Sequence, residues 1–452
     1  MRVEQNEKSS LYKNQRGVRI LIFAHLLFNA RFKLNRWRIL KYCRTIANFA
    51  RFSQKNSFEN DDSIMKKALM TLALGTFGLG VTEFAMMGIL PFIASDFGVS
   101  ISEAGHLISS YALGVCVGAP LMVAFMRTWR LKKIVVLLMC IYFLASFGMA
   151  FSPEYYSMLV MRFMAGLPHG AYFGVSSIIA DRLSKGRKST TAVAIMCSGM
   201  SVANLIGIPF GTFICQMASW RYIFAFSALW GLVTLLAIWR FIPSMDALPD
   251  TGARGQFRFL KSLAPWLLIA ATLLGNGAVF CYFSYYAPLL TEYSGISTTL
   301  LPFMAVIAGA GMVVGNITGG MLSDRIGPGH TGRWLQIIMF GSLLSIFLLS
   351  HIAWLSVILM CITTFCLFGV GSPQQLLLLR FSKGGELLAG CMVQLAFNFG
   401  NAVGAYLGGI PLTNGYTYNY TALPGFIMAA IGIICYTIFC HRYEKLASKS
   451  HQ

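Results

Sequence analysis

From residue 65 to residue 443 the chain alternates long apolar stretches with short polar ones. Twelve stretches reach spanning length: 68–93, 104–126, 133–151, 155–180, 191–217, 220–241, 263–290, 298–322, 334–351, 353–379, 387–411 and 419–440. A helix needs about 20 apolar residues to cross the hydrocarbon core of a bilayer. In lipid, only a structure that satisfies every backbone N–H and C=O internally can cross it. The pattern therefore predicts an all-α polytopic membrane protein with twelve transmembrane helices.

The longest polar connection in this region, 243–262, carries Pro243, Pro249, Gly252 and Gly255 and reads as a linker on the cytoplasmic side. It divides the membrane part into two six-helix bundles, 65–242 and 263–443, and leaves 444–452 as a short cytoplasmic tail. An internal repeat supports the division. GVCVGAPL from Gly114 returns as GMVVGNIT from Gly311, and NLIGIPFG from Asn204 returns as NAVGAYLG from Asn401, both 197 residues later. One offset kept by two separate helices indicates a duplicated unit, and two such halves related about the membrane normal enclose a central cavity. Glycines recur every four residues at Gly114/Gly118, Gly207/Gly211, Gly311/Gly315/Gly319 and Gly400/Gly404/Gly408. Each series flattens one helix face and lets a neighbour approach closely, which suits static packing and sliding equally well.

Composition agrees with the pattern. The chain is 56% hydrophobic and 12% charged, against roughly a quarter charged in average globular proteins. The net charge of +20 is not a nucleic-acid footprint, because no basic stripe is interleaved with aromatics. Thirteen of the 36 Lys and Arg fall within residues 1–64, and of the others twenty-one lie on one side of the predicted spans. The opposite loops hold Arg221 alone, and Arg162 lies inside a span. The positive-inside rule then makes the basic side cytoplasmic, with both termini inside. Residues 1–64 form a basic N-terminal extension whose one apolar run, ILIFAHLLFNA, is too short to span. We read Met65, followed by Lys66 and Lys67, as the natural start and the extension as a mis-assigned upstream start; the competing reading is an amphipathic segment on the inner leaflet. Of eleven Cys all but Cys43 lie in apolar segments and none forms a CxxC pair, so they read as free thiols. The seven His are scattered; no metal and no cofactor is expected. No GxxxxGK[ST] phosphate loop occurs, so ATP does not drive the chain directly.

Arg162 is the exception that chemistry must explain. A guanidinium is always charged, and a charge in hydrocarbon costs several kcal/mol or more. Glu83 lies ten residues before the outer end of the first span and Arg162 seven residues into the fourth, depths of about 15 Å and about 10 Å at 1.5 Å per residue. The two charges sit at similar levels, so an ion pair is feasible if the helices are neighbours. Glu83 is then a candidate to take up and release a proton as the pair opens; a static salt bridge is the plainer reading. His169, just after Pro168, could titrate in a wet cavity or simply bond across helices.

Several stretches resemble the major facilitator superfamily, in its twelve-helix drug:proton antiporter branch and nearest its arabinose-induced sugar efflux permeases. They are TEFAMMGILPFIASDFGVS in the first helix, RFMAGLPHGAYFG in the fourth, GIPFG and SWRYIF across the fifth and sixth, and GGMLSDRIG after the eighth. The resemblance implies the major facilitator fold, a bacterial inner-membrane location, and a proton-coupling role for the helix-4 arginine, Arg162. It implies gating roles for Gly320, Asp324 and Arg325, where the acid locks helix ends on the cytoplasmic side, and for Gly207, Pro209 and Gly211 of the antiporter signature. Two departures stand out. Arg127 occupies the first-half counterpart of Asp324, which leaves that half without its acid, and Ile208 splits the usual Gly-Pro pair.

The second half offers neutral polar groups instead of charges: Asn276, Tyr282, Tyr285, Gln374, Gln375, Gln394, Asn398 and Asn401. Amides and phenols suit hydroxyl-rich or amphipathic solutes, though about half should be interhelical hydrogen bonds. His169, Asn276, Tyr282, Tyr285, Gln394 and Asn398 are the candidate substrate-cavity residues. The expected function is a proton-coupled secondary transporter that exports small solutes by alternating access. The solute is a sugar or related metabolite, or an amphipathic drug, with sugar preferred through the resemblance alone. A passive facilitator or uniporter of the same fold and a non-transporting sensor are the alternatives. An enzyme is not expected, for want of a nucleophile and base at one depth. The expected partners are a small-molecule substrate, protons and the lipid bilayer; nucleic acid is not among them, and the chain is expected to be monomeric.

Overall fold

The computed structural model describes residues 36–186 and 188–449. No strand is present among them. The long helices are α1 (Arg36–Phe97), α2 (Ile101–Met126), α3 (Leu131–Ala150), α4 (Tyr155–Ser184), α5 (Ser189–Met217), α6 (Arg221–Phe241), α7 (Leu263–Phe283), α8 (Leu301–Ile326), α9 (Pro328–Leu349), α10a (Ala353–Gly369), α10b (Gly371–Arg380), α11 (Glu386–Thr413) and α12 (Ala422–Lys449). The apolar run at 20–30 lies outside the described residues. Chain contacts separate residues 1–63 from residues 64–452, and the helix packing belongs to the second of these units.

Among the described residues, eleven helices are long and apolar enough to cross a membrane. The twelfth expected span, α4, does not reach that hydropathy, because Arg162 and His169 dilute it. Its neighbours shield it: α4 packs against α2, α3, α5 and α11, and every residue from Gly170 to Ala180 is buried. Two expected spans are interrupted. Residues 353–379 form two helices that meet at Val370 between Gly369 and Gly371. Residues 263–290 leave the α-helix at Phe283 and continue through Tyr286–Pro288 into a π turn, Leu289–Tyr293; Pro288 supplies no N–H to prolong the α ladder.

Local chemistry sets the helix ends. Ser100 caps α2 by accepting from the Glu103 backbone N–H at 3.1 Å, while Glu103 Oε2 accepts from the Ser100 N–H at 2.8 Å, a reciprocal capping box. At the end of the first bundle where α1 stops, Asp96 accepts from Arg221 and from Trp220 Nε1, and Arg221 also donates to the Ser152 carbonyl. These bonds, from Arg221 above all, hold the Asp96 carboxyl below the usual carboxylate range.

The 197-residue repeat is also a repeat of packing. A Cβ on Gly118 of α2 would run into the Leu167 carbonyl of α4, and one on Gly315 of α8 into the Phe365 carbonyl of α10a. Gly80 of α1 faces Ala203 of α5, and its counterpart Gly277 of α7 faces Gly400 of α11. The same two seams close each bundle. The bundles meet along α5 with α8 and along α4 with α11. On the first of these seams Gly309 lies close to Leu205, where an added Cβ would be 2.6 Å from the Leu205 Cα. Pro209, four residues on, has no N–H for the Leu205 carbonyl; α5 nonetheless continues through it.

Candidate functional site

Four side chains from three helices of the first bundle converge: Glu83 of α1, Tyr111 of α2, and Arg162 and His169 of α4. Arg162 is 1% exposed and His169 is fully buried. The guanidinium donates to the Leu107 carbonyl through Nε at 3.1 Å and to the Thr82 carbonyl at 2.9 Å. Its carbon lies 4.5 Å from the centre of the Tyr111 ring, a cation–π contact. Arg162 therefore ties α4 to both α1 and α2.

The expected ion pair between Glu83 and Arg162 does not form in this conformation. The basic group beside the carboxylate is His169, with Nδ1 3.8 Å from Oε2. The same Nδ1 shares a hydrogen bond of 2.7 Å with the Tyr111 hydroxyl. Glu83 Oε2 is buried without a hydrogen-bond partner, as is His169 Nε2, yet the Glu83 side chain keeps 16% exposure. The carboxylate is thus the member of the set with an edge toward open space, and Arg162 is sealed behind it. Backbone carbonyls and the Tyr111 ring displace the acid because they offer the guanidinium oriented partners on two helices. Depth arithmetic placed Glu83 and Arg162 together but missed Tyr111. Its signal was available, since positions 111, 114 and 118 share the face that meets α4.

A cavity of about 60 Å³ lies between the bundles, lined by Phe173, Cys197, Asn316, Ser372, Gln374, Gln375 and Gln394 among others. Of the six candidate cavity residues, Gln394 lines it. The others lie elsewhere in this conformation. His169 belongs to the charged cluster. Asn276 donates to the Thr272 carbonyl of its own helix, and Asn398 to that of Gln394. Tyr282 is buried with its hydroxyl unpartnered, and Tyr285 donates to Ala405 of α11 at 2.9 Å. Asn316, which no sequence motif singles out as polar lining, donates to the Ala194 carbonyl across the bundle interface at 2.7 Å and accepts from Ser372.

The basic end of the molecule carries a second polar set. Asp324, at the end of α8, accepts from the backbone N–H groups of Thr190 (3.0 Å) and Thr191 (2.8 Å) and from the Thr191 hydroxyl. A carboxylate of one bundle thus caps the N-terminus of α5 in the other, where the helix presents free N–H groups and a partial positive charge. Gly320, one turn earlier, lets α8 approach: a Cβ there would lie 2.5 Å from the Ala194 Cβ. Arg325 is exposed. Gly207 and Gly211 face α1 rather than α8, with added Cβ atoms 3.6 Å from Phe84 and 3.2 Å from Ala85. Arg127, standing where the first bundle lacks its acid, finds one in the linker: its Nε donates to Asp250 at 2.9 Å. The Gly252 N–H, then Arg127, hold the Asp250 carboxyl below the usual range. The next linker residue, Thr251, donates to the Gly384 carbonyl, and Gln256 Nε2 does so at 3.1 Å. The linker therefore joins α2 to the loop before α11.

The sequence matches the Major Facilitator Superfamily over residues 72–389. It is 43% identical over 365 residues to AraJ, a protein of Escherichia coli strain K12 named as a transporter, an alignment covering 81% of this chain and 93% of AraJ. It is 24% identical over 387 residues to a protein of Pasteurella multocida strain Pm70 named as a sugar efflux transporter, covering 84% and 93% of the two chains. Among solved structures, the fucose transporter FucP in its outward conformation superposes with a TM-score of 0.66 at 15% identity, over 82% of this chain and 98% of FucP.

Proposed function

Because the chain belongs to the Major Facilitator Superfamily, a family of membrane transporters for small molecules, we propose that it exports a small polar solute in exchange for protons, with Glu83 as the proton-exchanging group. The observation that carries this reading is the Glu83 carboxylate itself: an acid inside the membrane region, with one oxygen buried and unpartnered beside His169 Nδ1 and one edge exposed. Intramembrane acids persist where they serve an ion or substrate path. Arg162 supplies a fixed positive charge bonded to α1 and α2, so a change in the charge of Glu83 alters the energy of the three-helix junction. Protonation on one side and release on the other then bias the two bundle arrangements differently, which is what coupling requires.

The Asp324 cap and the linker ties sit at the basic end, which the positive-inside rule assigns to the cytoplasm. In our reading this conformation is closed on that side, and the solute leaves outward. The amide-rich lining of Asn316, Gln374, Gln375 and Gln394 suits a hydroxylated solute, and a relative named as a sugar efflux transporter favours a sugar over an amphipathic drug. We place the protein in the bacterial inner membrane as a monomer, with bundles 65–242 and 263–443.

The test uses purified protein in vesicles with an imposed pH gradient and a panel of labelled sugars. Wild type should show gradient-dependent flux, and Glu83→Gln should exchange solute without responding to the gradient. Gradient-independent flux by wild type would instead identify a passive facilitator.

A further inference from the structure

Outside the charged cluster, His, Cys and carboxylate side chains among the described residues also come together at a second place. At the basic end of the second bundle, His330 in the first turn of α9 faces Cys440 and Glu444 of α12. The His330 Nδ1, the Cys440 sulfur and a Glu444 oxygen all lie within 4.8 Å of one another. Cys440 and Glu444 are one helical turn apart and project from the same face. Cys440 is 7% exposed and Glu444 8%, whereas the His330 side chain keeps 42% exposure.

The Glu444 carboxylate is only half used. Oε1 accepts from the Gly329 N–H at 3.1 Å and lies 3.5 Å from His330 Nδ1. Oε2 is buried without any partner. A carboxylate oxygen held dry and unpaired is costly, so the site is built to receive something positive. Two glycines let the carboxylate in against the start of α9: a Cβ on Gly327 would lie 2.6 Å from Oε1, and one on Gly329 would collide with Oε2. Arg333 acts electrostatically on Cys440, and Arg380 on Glu444. Arg380 compensates the Glu444 carboxylate when the site is empty, and both cations oppose a cation's entry, which makes the site one of moderate affinity.

We propose that His330, Cys440 and Glu444 form a binding site for a divalent transition-metal ion, zinc being the best match. Imidazole nitrogen, thiolate sulfur and carboxylate oxygen are the zinc donor set, and three protein ligands with an open fourth position is a common zinc arrangement. Bond lengths of about 2.0–2.3 Å require ligand atoms about 3.3–3.8 Å apart, within reach of small side-chain rotations here. Binding exchanges the Cys440 thiol proton, released to water, for a sulfur–metal bond, and no electron is transferred. Thiolate and carboxylate balance the charge of the dication. A bound ion would pin α9 to α12, and the exposed edge of His330 marks its way in. Separation by more than a hundred residues hid the set from any reading of sequence spacing.

Full-length protein in detergent, stripped with a chelator, is titrated with cobalt(II), whose spectrum reports its ligands. One equivalent should bind with a thiolate-to-cobalt charge-transfer band, and zinc(II) should displace it. Outer-shell partners of metal sites are worth about 10–100-fold in affinity, so removing a ligand should cost at least about 100-fold. His330→Ala, at a half-exposed position that does not threaten folding, should show that loss. Cys440→Ser should lose the charge-transfer band. Absence of stoichiometric uptake, a band that survives in Cys440→Ser, or unchanged affinity in His330→Ala would each overturn the site.

Discussion

Asparagine at position 324 tests the lock between the bundles. Asp324 receives two backbone N–H groups and one hydroxyl from the first turn of α5. A hydrogen bond to a charged acceptor is worth about 1.5–3 kcal/mol, and a carboxylate at a helix N-terminus adds about 0.3–1 kcal/mol. Asp324 is exposed, so solvent screens its charge and the low end applies. Asparagine keeps one oxygen acceptor and loses the charge, which leaves a net loss of about 1.5 kcal/mol. Since about 1.4 kcal/mol is tenfold in an equilibrium constant, Asp324→Asn should shift the balance about tenfold toward the form open at this end. The assay is the distance distribution between spin labels at positions 133 and 383, exposed sites at the basic ends of the two bundles, in a background without native thiols. The variant should gain a longer-distance population. A distribution identical to that of the unsubstituted protein refutes the idea that this carboxylate holds the bundles together.

Other substitutions probe the remaining parts. Gly315→Val should drive a side chain into the Phe365 carbonyl and cost about 1–3 kcal/mol or more by overpacking, read as a lowered melting temperature in detergent. Gly118→Val should do the same in the first bundle, while Gly341→Val, where an added Cβ meets nothing within 4 Å, should be neutral. The Asp96 carboxyl is held below its ordinary value by Arg221, so its contribution to stability is present above the ordinary carboxylate range and lost as pH falls through the lowered value. Asp96→Asn should flatten that acid limb in melting curves collected against pH. Disrupting the pair of Arg127 with Asp250 by Asp250→Arg should make the linker more sensitive to protease, and adding Arg127→Asp should restore resistance.

Periodicity made the fold readable. Spanning length, the offset of 197 and the glycine spacing are properties of a one-dimensional string, and the structure uses them as packing seams at Gly118 and Gly315. The site was readable in part. Rise per residue gave the shared depth of Glu83 and Arg162, but rotation about each helix axis decides which groups touch. That angle turned Arg162 toward the carbonyls of Thr82 and Leu107 and put His169 beside the acid. Pairings set by bundle contact, such as Asn316 with Ala194 or Arg127 with Asp250, have no sequence period to announce them.

Where the repeat fails is where the chemistry lies. Shifting Glu83 and Tyr111 by 197 residues gives Phe280 and Ala308. Along the fourth helix the packing offset is 198, as Leu167 and Phe365 show, and it takes Arg162 to Met360 and His169 to Leu367. Every member of the charged cluster has an apolar counterpart. The reverse comparison is similar: Asn316 and Gln394 correspond to Ala119 and Cys197 at the offset of 197, and Gln375 to Ser177 at 198, none of them an amide. Duplication fixed two bundles of one shape, because packing constrains glycines and small residues in both. At the positions of this cluster charge was kept in one bundle only, and neutral amides gathered in the other. Burying another unpaired acid at the positions that match Glu83 and Arg162 would cost several kcal/mol, whereas amides can satisfy one another when no solute is present. Under the proposed exchange of solute for protons, one charged cluster facing neutral, hydrogen-bonding groups is the cheaper way to let one proton's position bias the arrangement of both bundles.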